Sequence, residues 1–154
     1  MKIATILIVI ATLCNGCSSP SKESIDDVLQ KSSNLYTGFR KYSEEKIWEL
    51  GFNDEKRIPE VIIPLAQAVS ESLRTIQIDW RNKRFTGHTA ETIDSLIGAF
   101  IMYVDNTQTG IRLHYDILAD QYDKEKVKAN VNAAQDLIVK YTTDLQKNLG
   151  PQSK

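Results

Sequence analysis

The chain has 154 residues, with 19 basic and 20 acidic side chains and a formal charge of −1. A phosphate-tracking protein needs a basic excess, so this near-neutral balance argues against nucleic acid as a partner. The only cysteines, Cys14 and Cys17, lie near the start, which leaves the body of the chain no disulfide framework and no cysteine-built zinc site.

Met1 and Lys2 precede an apolar run from Ile3 to Leu13, followed by Cys14-Asn15-Gly16-Cys17-Ser18-Ser19-Pro20. One cation, a short hydrophobic stretch and a small residue before a cysteine have the anatomy of a secretory signal. Length argues against a spanning anchor. The uncharged stretch from Ile3 to Cys14 rises about 18 Å, against a hydrocarbon core of about 30 Å. Asn15 to Pro20 then break it. The ending resembles the lipobox of bacterial lipoproteins, in which type II signal peptidase cuts just before a lipidated cysteine. The resemblance covers residues 1–17 only. The family usually has Leu three residues before that cysteine; here Cys14 holds the place, with Leu13 one step further back.

The resemblance implies cleavage after Gly16, acylation of Cys17 and a lipid-anchored life in the bacterial cell envelope. If the organism has two membranes, Ser18 after Cys17 resembles sorting to the periplasmic face of the outer membrane. The alternative is an ordinary secreted protein cut near the same place. Removing residues 1–16 would leave 154 − 16 = 138 residues, with 18 basic against 20 acidic side chains. That is enough chain for one domain with its own core. The expected organisation is a signal peptide over 1–16, a lipidated cysteine and polar tether over 17–22, and a helical domain over 23–150.

Four helical segments are expected. The first runs from about Ser24, as N-cap, to Leu50, with Gly51 as the stop. Its predicted face is Ile25, Leu29, Tyr36, Phe39, Ile47 and Leu50, flanked by Val28, Leu35 and Tyr42. The second spans about Ile58 to Arg84 and buries Ile62, Leu65, Val69, Leu73, Ile76 and Trp80. Pro59 suits its opening turn, and Pro64 predicts a kink or a later start. The third begins after Gly87 with Thr89 as cap, and Ile93, Ile97, Phe100, Val104, Ile111 and Leu118 share its stripe with Thr107 and His114. The polar stretch 105–110 could break it, but the apolar phase continues across, which favours one long helix. The fourth starts at the cap Asp123 and ends at Gly150-Pro151, burying Val127, Val131, Ala134, Leu137, Ile138, Tyr141, Leu145 and Leu149. No segment alternates with period two, so the fold class is all-α, an antiparallel up-and-down four-helix bundle.

The inventory of chemistry is thin. There is no nucleophile elbow, no paired-histidine zinc helix and no phosphate-cradling glycine loop. His88 and Glu91 make a poor metal pair, with His88 placed in the connection before the helix. His114 is expected to face the interior as a hydrogen-bonded histidine. Asp116, Asp120 and Asp123, with Tyr115 and Tyr122, gather near one end and read as a solvated helix terminus. An enzyme is disfavoured, and no cofactor or metal is implied.

Two patches stand out. Trp80, Arg81, Lys83, Arg84 and Phe85 place three cations between two aromatics. The bland reading has Trp80 completing the core while the cations offset the helix terminus; the functional reading is a membrane-facing patch. Phe52, Asp54, Glu55 and Arg57, with Tyr122 near them, mix charge and aromatic character at the other end and read as a partner-binding surface. The leading expectation is a lipid-anchored bundle that binds another envelope protein as adaptor, inhibitor or self-protection factor. A structural or lipid-contacting envelope component is the runner-up, and an enzyme using surface carboxylates comes third.

Overall fold

The structure is a computed structural model that describes residues 18–115 and 124–150. Cys17, Leu118, the Asp116, Asp120 and Asp123 cluster and Tyr122 lie outside the described residues. The chain forms α1 (Lys22–Asn53), a 3-10 turn (Glu55–Arg57), α2 (Ile58–Asn82), α3 (His88–His114) and α4 (Lys124–Leu149). It is an antiparallel four-helix bundle, as the periodicity predicts, and the described residues contain no strand.

The cap of α1 lies three residues before the expected one. Ser21 is the N-cap, its hydroxyl accepting from the Ser24 amide at 3.2 Å. Gly51 does not stop the helix. The chain stays helical through Asn53 and leaves at Asp54, whose extended φ of −161° cannot continue it although its amide still reaches the Leu50 carbonyl. The buried face also differs from the apolar pattern. Ser32 and Ser43 are buried beside Val28, Tyr36 and Phe39, while Ile47 and Tyr42 are exposed. Each serine hydroxyl donates to the carbonyl four residues back, at 2.7 Å, so the small side chain is buried at no hydrogen-bond cost.

α2 carries Pro59 in its first turn, and it runs without interruption through Pro64. A proline has no amide to give, so the carbonyl four residues back goes without its helical partner. Pro64 is exposed, where water can fill that role. Ile62, Val69, Leu73 and Trp80 are buried, joined by Ile58 and Ala66.

α3 is a single helix, and its polar stretch is used rather than tolerated. Asp105 accepts from Ser70 at 2.6 Å and pairs with Arg74, both on α2. Asn106 accepts from Asn130 of α4 at 3.3 Å. The N-cap is Gly87, not Thr89; its φ of +97° is one that only glycine adopts without strain. His88 is therefore the first helical residue.

Consecutive helices pack on one another, and α1 also meets α3. α1 and α4 do not: no Cα of one comes within 8 Å of the other. α3 is thus the central element, and an open seam runs between α1 and α4. His114 emerges there instead of facing the interior. A seven-residue spacing drifts about 20° per heptad on a straight helix, so three heptads beyond Ile93 it has turned about 60° out of the packed face. The described core draws on no residue before Ile25.

Candidate functional site

At one end of the bundle lie the start of α1, the α2–α3 connection and the end of α4. The Thr86 amide donates to the Ser18 carbonyl at 3.3 Å, which ties the tether to the α2–α3 connection. The opposite, distal end carries the α1–α2 turn and the end of α3. A helix of 32 residues separates the two by about 48 Å.

The patch from Trp80 to Phe85 sits at the tether end, and its members divide. Trp80 is only 3% exposed and its indole N–H donates to the Ala90 carbonyl at 3.1 Å. It belongs to the core and is closed to a membrane. Phe85 is half-buried against it, ring centroids 4.9 Å apart. Arg81 grips Asp94 of α3 with two hydrogen bonds of 2.6 and 2.9 Å, and that carboxylate holds the guanidinium charged. Lys83 and Arg84 are exposed and pair with no carboxylate among the described residues. Arg84 takes a positive φ of 52° at the turn. Two cations without a carboxylate partner, Lys83 with its ammonium 6.0 Å over the Phe85 ring, are what this end offers to an anionic surface.

The distal end offers more. Phe52 is 77% exposed and Trp48, one helical turn earlier, is 73% exposed. Their rings meet edge-on, centroids 5.0 Å apart, a favourable aromatic geometry. Sequence reasoning named Phe52 and passed over Trp48, although their i, i+4 spacing on a face otherwise occupied by charge was the signal. Ile47 and Gly51 lie beside them on α1 and line a crevice of about 450 Å³ against Ile58 of α2 and Thr107 and Ile111 of α3. Glu55 stands at its mouth. Its carboxylate accepts from the Tyr115 hydroxyl at 3.4 Å and lies 3.5 Å from His114 Nε2. Burial, then the nearby Glu55 charge, raises the Tyr115 hydroxyl above its ordinary pKa. Asp54 and Arg57 are exposed on the same turn.

The seam holds a further crevice of about 450 Å³ near the tether end. Leu29 and Ser33 of α1, Leu96 of α3 and Leu145 and Leu149 of α4 line it. Midway along, Tyr36 stacks on Phe100 at 4.5 Å and meets Tyr103 edge-on at 5.3 Å. Burial pushes the Tyr103 phenol up, while Gln135 of α4, bonded to it, pulls the other way. Among the described residues no three of His, Cys, Asp and Glu gather as metal ligands, and no helix is long and apolar enough to cross a membrane.

No family model, curated protein or solved structure matches the chain.

Proposed function

We propose that the protein is a lipid-anchored component of the bacterial envelope that binds another envelope protein through its distal end. The observation that carries the reading is the Trp48–Phe52 pair, exposed to water at the end farthest from residue 18. Large rings left in water cost hydrophobic free energy, and Trp is enriched where a partner later covers it. The crevice beside the pair supplies a concave site for a partner's apolar side chain. Acylation of Cys17 would hold the opposite end at the bilayer and turn this surface outward. Two or three acyl chains give stable anchoring where one is marginal.

Photo-crosslinking from positions 51 and 54, exposed beside the pair, in living cells, with identification of captured proteins, tests the reading. A defined envelope protein captured by the parent chain and lost in Trp48→Ala/Phe52→Ala is the expected result. Identical capture by both sinks it. Intact mass of the membrane-extracted protein tests the anchor: acylation at Cys17 is expected, and a free thiol there refutes it. A second reading, contact of the tether end with lipid headgroups, is favoured by unpaired Lys83 and Arg84. Lys83→Gln/Arg84→Gln should then weaken binding of the chain from Ser18 onward to anionic vesicles, most at low salt.

A further inference from the structure

The open seam between α1 and α4 is bordered by side chains unlike those of the rest of the surface. A quarter of the chain is charged, yet over about three turns the α4 border is uncharged, from Gln135 through Val139 and Thr142 to Gln146. Val139 sits in its middle, 65% exposed. Across the seam, Leu29, Gln30, Ser33 and Thr37 make an uncharged border on α1. Depletion of charge with scattered apolar side chains is what distinguishes the centre of a protein interface from ordinary surface.

The heights of these residues follow from contacts through α3. Tyr36 meets Tyr103 and Gln135 bonds Tyr103, so Tyr36 and Gln135 are level. Leu29, Leu96 and Leu145 share one crevice. Gly110 faces Val127 at 3.6 Å and shares a second crevice with Ile47. By interpolation Val139 stands level with Ser33, and Lys128 stands level with Glu44. Lys128, with Lys124 one turn before it, ends the α4 border in positive charge, and neither is paired among the described residues. On α1 the border ends in the ion pair of Arg40 and Glu44, 2.8 Å apart, and of the two it is Glu44 that stands level with Lys128.

We propose that this face binds a second copy of the chain about a two-fold axis parallel to the helices. That operation sets α1 of each copy against α4 of the other at equal height. Val139 then meets Ser33 and Thr37 of the partner copy, uncharged border lies on uncharged border, and Lys128 meets Glu44. The match occurs twice, as an isologous interface requires. From Leu29 to Ile47 the face is about 27 Å long and two helices wide, roughly 20 Å. Its projected area of about 540 Å² is smaller than its accessible area, and a standard interface buries roughly 800 Å² per partner. A parallel two-fold also keeps both residue-18 ends on one side and both Trp48–Phe52 pairs on the other. The dimer is independent of what the distal end binds.

Sedimentation equilibrium of the chain from Ser18 onward should show a monomer–dimer equilibrium at concentrations on the order of 100 µM. Monomer alone throughout that range overturns the proposal. Glu44→Lys and Lys128→Glu should each weaken the dimer about tenfold, and the two together should restore it. Singles without effect, or a double variant no better than the singles, overturn the parallel pairing. Geometry is tested by cysteines, since no other thiol follows Cys17. Ser33→Cys with Val139→Cys should oxidise to a covalent dimer, and each single variant should not. A link within one chain is out of reach, because the α1 and α4 Cα atoms stand more than 8 Å apart and a disulfide needs less than about 7 Å. No covalent dimer, or equal dimer from the singles, overturns the face assignment.

Discussion

Two tryptophan–phenylalanine pairs, one at each end of the bundle, share a geometry and differ in everything else. Trp80 and Phe85 meet at 4.9 Å, Trp48 and Phe52 at 5.0 Å. The first pair has α3 above it, with the Ala90 carbonyl to receive the indole N–H. The second is left uncovered by α2 and α3, the helices that α1 packs on. Residue type did not decide this; the number of helices available to cover each ring did. Charge nearby is an equally poor guide, since three cations flank the buried pair. An aromatic beside cations is thus a membrane contact only where the packing leaves it uncovered, and here Trp80 is covered while Trp48 is not.

The contrast is calibrated by a substitution in the centre of α3. Ile97 is fully buried, so Ile97→Asp must bury an unpaired carboxylate or expose the core. The expected loss is at least about 4 kcal/mol, within reach of the roughly 5–15 kcal/mol that holds a domain of this size. Circular dichroism should show melting lowered steeply or abolished. Unchanged melting would mean that α3 is not the centre. Trp80→Ala follows in size, at about 3–5 kcal/mol, because it empties a large site and frees the Ala90 carbonyl. Denaturant melts read it directly, and a loss below about 1 kcal/mol would return Trp80 to the surface.

Tyr103 stands between the two cases, its ring buried and its hydroxyl near the open seam. Burial favours the neutral phenol in the folded state, so its pKa there lies above the unfolded value near 10. The sign follows: the contribution is full below pH 10 and is lost as pH rises through the raised folded value. The parent chain should therefore lose stability above pH 10 more steeply than Tyr103→Phe, compared by melting over that range. Parallel curves would mean that the hydroxyl is hydrated.

The helices were legible because period, caps and stops agree along most of the chain. Ile93, Ile97, Phe100 and Val104 sit at 3.6-residue spacing, and the structure buries all four. The polar stretch 105–110 did not break α3, since the stripe resumes in phase at Ile111. Cap positions slipped because serine, threonine and glycine recur within three residues of one another, and sequence alone does not rank Ser21 over Ser24 or Gly87 over Thr89. Ser32 and Ser43 were invisible to an apolar pattern: a hydroxyl that can bond back to its own helix is as easily buried as a methyl. A helix starting only near Pro64 was one expectation because propensity weighs the lost bond and not the exposure of the site; α2 instead begins at Ile58. His114 was misplaced because a stripe was carried three heptads without its drift. The open seam was not legible at all, because periodicity says which face of a helix is covered and not which helix covers it.

The smallest expected change is also the one that most sharpens the comparison. Trp48→Ala removes a ring that touches little besides Phe52, so stability should shift by no more than about 0.5 kcal/mol. Trp80→Ala should cost several times more at the opposite end of the same bundle. Fluorescence separates the two sites without perturbing the fold. With Trp48→Phe, only the buried indole emits, and acrylamide should quench it weakly. In the parent chain the exposed Trp48 should add a red-shifted component that acrylamide quenches strongly. A partner that covers the distal end would shift that component to the blue and protect it from quencher, while leaving the Trp80 signal alone. If the parent and Trp48→Phe quench alike, Trp48 is already covered, and the distal pair loses its claim to be a vacant docking surface.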